Sequence, residues 1–373
     1  MKVIIVGGGI SGLTLAASLN KHNIDCIIIE KTAKYGGVGG VLSLWPMGNR
    51  LLKNLDLFED FLDASEPLRN YTILNHKSKI IRNFDLTQIN DQSTGIHDLM
   101  RYSLIDILRK GCSGVEFRMN CTINKVFNTN DGVSADLTDG TTVSGDVLIG
   151  ADGINSITRK LVFGEHQKRY TGWKGYGWPI SPKTSDLNTV FEYWLHKRFI
   201  GVYPGKDGVF AFTCLPDTNE NKDPIQGRGE KILSNFHDVP GIAKRILEQI
   251  PEDPQIWHDS ISDLWIDNWV KNRIVLIGDA SAAILPTAGI GASVAMESAV
   301  ELSQYLRRSE GSIHDKLSDF YHNRKEKVYS ILKESGDFAK IMFTKSLFLS
   351  KIRNGILRFM PTRMMFKQIQ SHQ

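Results

Sequence analysis

The run Gly7-Gly8-Gly9-Ile10-Ser11-Gly12 constrains this chain more than any other feature. It has the form G-x-G-x-x-G and follows a Val- and Ile-rich run at residues 2–6. Leucines and alanines recur at helical spacing over residues 10–19, and a second apolar run at 26–29 closes on Glu30. Strand, glycine turn, helix and strand in this order form a βαβ unit, the opening of a doubly wound parallel sheet. Gly7 permits the sharp turn, Gly9 lets the backbone approach a pyrophosphate, and Gly12 lets helix and strand pack closely. The helix N-terminus, with Ser11 in its first turn, offers free N–H groups and a positive dipole end to phosphates. Glu30, followed by Lys31, stands where a ribose is bound. The motif by itself does not separate FAD from NAD.

A chain of 373 residues has room for two domains. No stretch approaches the roughly 18 uninterrupted apolar residues of a membrane span. The four cysteines, Cys26, Cys112, Cys121 and Cys214, show neither zinc-ligand spacing nor a disulfide framework, so reduced thiols and a cytoplasmic location are expected. A net charge of +4 is too mild to argue for nucleic acid, and no nucleic-acid partner is expected. The basic character sits in the tail: no acidic residue follows Asp337, while Lys340, Lys345, Lys351, Arg353, Arg358, Arg363 and Lys367 do.

Two further apolar runs end on an aspartate. Residues 147–149 lead into Gly150-Ala151-Asp152-Gly153, with Ser156 and Arg159 following, and residues 274–277 lead into Gly278-Asp279. Carboxylates at the C-terminal ends of parallel strands face the crevice where such sheets bind ligands. Taken singly, either aspartate also suits a helix cap. Between the two runs, residues 170–265 are rich in aromatic residues with alternating segments, and read as an antiparallel sheet to which residues near 70–92 contribute. Residues 115–142, punctuated by Asp131-Gly132 and Asp139-Gly140, read as a small antiparallel insertion.

Three strand-end motifs in this order and spacing resemble the class A flavoprotein monooxygenases. This is the para-hydroxybenzoate hydroxylase-like family, which includes salicylate hydroxylases and tetracycline-inactivating enzymes. The resemblance runs from Met1 to about Lys333. It implies that Gly7, Gly9, Gly12 and Glu30 hold the ADP half of FAD, and that Asp152 and Gly153 form a motif shared between FAD and NAD(P)H. It places Asp279 on the ribityl chain and Arg101 at the start of a helix beside the cofactor. Pro286-Thr287-Ala288-Gly289-Ile290-Gly291-Ala292 resembles the family's loop leading into a helix beneath the isoalloxazine. Ala282, Ile290 and Ser293 depart from its commonest pattern, which has histidine, glutamine and asparagine there. Gly39, Gly40 and Pro46 resemble the loop beside the flavin, although an ordinary loop with a helix-starting proline reads equally well.

The expected fold is therefore α/β. A Rossmann-like FAD-binding domain is formed by residues 1–70, 96–169 and 266–330, an antiparallel-sheet substrate domain by 71–95 and 170–265, and a C-terminal helical segment by 331–373. By the resemblance, NADH or NADPH reduces FAD, and O2 then oxygenates a small apolar, aromatic or polycyclic substrate through a flavin C4a-hydroperoxide. A halogenase or reductase of the same superfamily is the alternative, and the halogenase spacing WxWxIP is not met by Trp173-Lys174-Gly175-Tyr176-Gly177-Trp178-Pro179-Ile180. A non-catalytic FAD-binding regulatory protein has no reason to keep Asp279. No histidine, among them His97, His196 and His258, shows a partner that marks it as a base. Of Trp173, Tyr176, Trp178, Trp194, Tyr203 and Phe210, about one in three is expected to line a pocket and the rest to be core. The tail alternates apolar and basic residues, which suits either a helix packed on the body or peripheral contact with an anionic membrane.

Overall fold

The computed structural model describes residues 1–36, 40–88, 95–129, 131–180, 189–206 and 208–366. Gly37, Gly39 and Lys367 lie outside these residues. The strand Lys2–Val6 buries four consecutive apolar side chains because it is covered on both faces. It pairs in parallel with Asp25–Glu30 on one side and Val147–Gly150 on the other. The full sheet runs Val270–Lys271, Ile274–Leu276, Val147–Gly150, Lys2–Val6, Asp25–Glu30, Glu116–Met119. Glu116–Met119 joins this sheet in parallel with Asp25–Glu30. It is not part of the small antiparallel insertion, which consists of Ile123–Asn128, Val133–Leu137 and Thr142–Gly145.

Helix Ile10–Lys21 packs along helix Gly291–Leu306, where small residues let the axes approach; Ser18 Oγ and Ser303 Oγ lie 2.6 Å apart.

The second large sheet has eight strands. Their order is Ala282–Ala283, Trp257–Trp265, Arg169–Ile180, Gly208–Pro216, Arg198–Gly205, Thr189–Leu195, Asn70–Leu74, Ile80–Asp85. It is antiparallel except where Thr189–Leu195 runs parallel to Asn70–Leu74. The segment near residue 70 thus enters the sheet as expected, with one parallel join that alternation alone does not reveal. Helix Ile313–Met342 is thirty residues long and runs unbroken through residue 330. Helix Leu347–Phe359 and the turn Thr362–Met365 follow it.

Candidate functional site

The glycine turn has the geometry that its sequence demands. Gly7 adopts φ +106°, and a Cβ there would stand 2.4 Å from the carbonyl oxygen of Ala151. A Cβ on Gly12 would stand 1.9 Å from the carbonyl oxygen of Gly7, so the helix lies directly on the turn. Around Gly9, by contrast, a Cβ would meet nothing within 4 Å, because that face opens on a cavity. No side chain caps the helix at Gly9, so its first N–H groups are free to meet an anion.

Glu30 is buried at the end of its strand. One carboxylate oxygen accepts from Gly8 N–H at 2.6 Å, and the other accepts from Thr32 N–H and hydroxyl, each at 2.9 Å. The carboxylate is thereby fixed beside the turn before any ligand arrives. Lys31 is exposed and does not line the cavity.

The two strand-end aspartates differ. Asp152 is occupied internally: it accepts from the Ser156 hydroxyl at 2.5 Å and from Thr158 N–H at 2.9 Å, latching the turn into helix Ile157–Phe163. Arg159 then reaches from that helix to the carbonyls of Ala280 at 2.9 Å and Ile154 at 2.7 Å, tying the two strand exits together. Asp279 faces the cavity. It is reachable from the cavity yet enclosed by protein, and this burial pushes its carboxyl up to about 6, with the positive charge of Arg101 opposing the rise. Gly278, at φ +59°, leaves room for Ser11, whose Oγ would lie 2.1 Å from a Cβ there.

Arg101 opens helix Arg101–Lys110 on the opposite wall, its N–H bonded to the Gly40 carbonyl at 3.0 Å. Gly289, at φ +62°, ends the turn Pro286–Ala288 and starts the approach to helix Gly291–Leu306. That helix also lacks a side-chain cap, and Gly291 and Ala292 line the cavity. Two uncapped helix N-termini of twelve and sixteen residues therefore open on one cavity of about 500 Å³. Gly9, Ser11, Gly40, Arg101, Gly153, Asp279, Pro286, Gly289, Gly291 and Ala292 all line it. Gly7, Gly12, Glu30 and Asp152 shape the wall from behind.

The cavity continues past the loop at Pro286 into an aromatic region that only tertiary structure assembles. Of the six aromatic residues considered from sequence, Tyr203 and Phe210 line it, while Trp173, Tyr176, Trp178 and Trp194 are core. Tyr71, Phe199, Phe212 and Trp257 join them, with Phe338, Phe343 and Phe366 from the C-terminal helices. Phe366 sits against Trp45, Tyr71 and Phe84 with ring centroids 5.8 Å apart in each case. None of His97, His196 and His258 lines the cavity.

A phosphate cradle, a fixed carboxylate at the second strand and an aspartate facing the cavity at the third strand exit fit an elongated dinucleotide. Comparison with known proteins agrees. The profile of the FAD binding domain family matches residues 1–333, and the chain belongs to that family. It is 26% identical over 367 residues to 2-heptyl-3-hydroxy-4(1H)-quinolone synthase of Pseudomonas aeruginosa strain UCBPP-PA14, covering 97% of this chain and 94% of the relative. It is 27% identical over 346 residues to an FAD-dependent urate hydroxylase of Mycolicibacterium vanbaalenii, covering 89% and 86%. Its fold matches that of Klebsiella pneumoniae HpxO complexed with FAD and uric acid, with a TM-score of 0.90, 22% identity and coverage of 100% and 96%. The protein is a flavoprotein oxidoreductase with FAD as its cofactor.

Proposed function

We propose that this FAD-dependent monooxygenase oxygenates a small, lipophilic aromatic or heteroaromatic molecule held at the aromatic end of the cavity. One observation carries the reading: a single cavity joins the nucleotide cradle to a chamber walled by Tyr71, Phe199, Tyr203, Phe210, Phe212 and Trp257. FAD, when bound, accepts a hydride from NADH or NADPH and supplies the oxygen chemistry. The chain's own residues do the rest. The Gly9 helix N-terminus and Glu30 hold the nucleotide half, and Asp279 and Arg101 hold the middle. The uncapped helix at Gly291 places positive potential where negative charge develops. The aromatic wall orients the substrate and excludes water.

The experiment is stopped-flow reduction of the FAD-loaded protein by NADPH and NADH across phenols, indoles and quinolones. We expect slow reduction alone and acceleration by at least one lipophilic aromatic compound. Reduction at one rate whatever compound is added contradicts substrate-controlled entry to the cavity.

The tail extends the reading to a surface. Helix Leu347–Phe359 turns Arg353 and Leu357 inward, and leaves Phe348 71% and Phe359 82% exposed, with Ile352 and Ile356 on the same outer side. Lys345, Lys351, Arg358 and Arg363 are exposed around this apolar face. No helix among the described residues is long and apolar enough to cross a membrane. The composition of the face suits peripheral contact with anionic lipid, through which a lipophilic substrate enters. The variant Phe348→Ser/Phe359→Ser is expected to bind phosphatidylglycerol vesicles at least about tenfold more weakly in a flotation assay, since each exposed aromatic contributes on the order of 1 kcal/mol or more when buried. Equal flotation of both proteins contradicts contact through this face.

A further inference from the structure

Glu192 is a carboxylate buried in the wall of an aromatic chamber, and the function described so far makes no use of it. It is 4% exposed. One oxygen accepts from Tyr203 Oη at 2.7 Å; the other accepts from Trp194 Nε1 at 2.7 Å and from Tyr71 Oη. Burial disfavours the carboxylate and makes Glu192 a weaker acid than an ordinary glutamate, while these three donors, among the described residues, favour the carboxylate and oppose the rise. The Cys214 thiol on the strand Gly208–Pro216 is fully buried and held protonated by burial and by Glu192 itself. Arg353, on the C-terminal helix, lies over the Trp194 ring and spends its guanidinium on the carbonyls of Trp194, Met342 and Ile341. A core built only for stability would fill this place with an apolar side chain, since burying a charge without a paired cation is costly.

The two tyrosines flank Glu192 in the chamber wall, each bonded to it through its hydroxyl. Both are half-buried and line the cavity together with Glu192. A glycine makes the arrangement possible: Gly201 is the cross-strand partner of Glu192, and a Cβ there would stand 2.5 Å from the ring and hydroxyl of Tyr203. Each tyrosine donates its hydroxyl hydrogen bond to the carboxylate, so each phenolic oxygen keeps a lone pair for a donor arriving from the chamber.

We propose that Glu192 is the proton acceptor for an acidic N–H or O–H on the substrate ring, reached through Tyr71 and Tyr203. The inference rests on the aromatic-substrate reading above. The substrate's N–H or O–H bond breaks and its proton passes to a tyrosine Oη, while that tyrosine's own proton passes to the Glu192 carboxylate. The electron pair stays on the substrate nitrogen or oxygen and enriches the ring for attack by an electrophilic oxygen. The two tyrosines are the groups that touch the ring, and Glu192 acts through them. The substrate class narrows accordingly to rings carrying a weakly acidic donor, such as phenols and 4-quinolones, in preference to their O- or N-methyl derivatives.

The test uses the FAD-loaded full chain as wild type, Glu192→Gln, Tyr71→Phe/Tyr203→Phe and Gly201→Ala, each checked for flavin content and melting temperature. The first probe is 4-nitrophenol, whose anion absorbs to the red of its neutral form, titrated with pH on each protein. Wild type is expected to hold a fraction of the bound probe as anion over a broad neutral range. The variants are expected to hold it neutral to a pH higher by about one unit or more. The second probe is 2-heptyl-4(1H)-quinolone. Its oxygenation is expected to fall by about 100-fold or more in kcat in the Glu192→Gln protein, the usual contribution of a positioned proton acceptor. The tyrosine double variant keeps the test decisive if Glu192→Gln fails to fold. Identical probe ionisation in wild type and variants, or no binding of either probe by wild type, overturns the proposal. Equal oxygenation by wild type and Glu192→Gln overturns it while leaving the monooxygenase reading intact. Ionisation that depends on Glu192 without oxygenation of any ring upholds it and counts against that reading.

Discussion

Replacing Gly12 by alanine is expected to yield a protein that retains no flavin and melts at a lower temperature. The added Cβ would lie 1.9 Å from the Gly7 carbonyl oxygen and 3.3 Å from the Ile5 side chain. The obstacle is backbone, and Gly7 cannot retreat, because its own position is set by the Ala151 carbonyl. The helix must therefore lift from the strand, at a cost of about 1–3 kcal/mol or more for overpacking, and its N–H groups move off the phosphate position. Gly9→Ala separates the two consequences. A Cβ there meets no protein atom, so melting of the FAD-free protein is expected to be unchanged, while the methyl group intrudes where the pyrophosphate approaches and weakens FAD binding. Flavin absorbance per protein after gel filtration, alongside thermal melts of both variants, checks the pair. Full flavin content in Gly12→Ala would contradict the close contact of turn and helix.

Replacing Asp279 by asparagine is expected to act in opposite directions on stability and on cofactor affinity. Burial raises the carboxyl from its ordinary 3.8 to about 6, with Arg101 only partly offsetting this. A carboxyl raised on folding contributes stability that is fully present below its unfolded value, and this is lost as pH rises through the folded value. The FAD-free wild type should therefore lose stability relative to Asp279→Asn between about pH 4 and pH 6, after which the difference levels off. Affinity for FAD should fall in the variant by about tenfold or more at neutral pH, because a hydrogen bond to a charged acceptor contributes about 1.5–3 kcal/mol. Melting curves of the FAD-free proteins from pH 4 to 8 and a fluorescence-quenching titration with FAD read the two effects. Parallel pH profiles in wild type and variant would show that Asp279 is not held protonated by burial.

The parts of this site legible in the sequence are those whose physics is local. Gly7 and Gly12 announce themselves because a turn and a helix contact a few residues apart forbid a Cβ. Asp279 does so because a buried strand ending in Gly-Asp has few other uses. Arg101 and the loop from Pro286 to Ala292 were found by resemblance, and the structure brings them to the same cavity. Asp152 shows the limit of such reading: its carboxylate is consumed by Ser156 and Thr158, a local turn that suits a structural role as well as a binding one. The aromatic chamber was not legible. Tyr71 and Glu192 come together only because Asn70–Leu74 pairs in parallel with Thr189–Leu195, across more than a hundred residues of chain. Phe338, Phe343 and Phe366 reach the chamber from helices whose sequence pattern shows an apolar face but not what it covers. The burial of Met342, Phe343 and Leu357, with Phe348 and Phe359 left outside, likewise follows from where the tail docks.

The most direct test of the central claim is the mass of the product formed from isotopically labelled O2. FAD-loaded protein is supplied with NADPH and the aromatic compound that most accelerates flavin reduction, and the product is analysed by mass spectrometry. The account predicts a product heavier by one labelled oxygen atom, formed without added halide. A product that gains halogen or hydrogen, or that takes its oxygen from water, would contradict it.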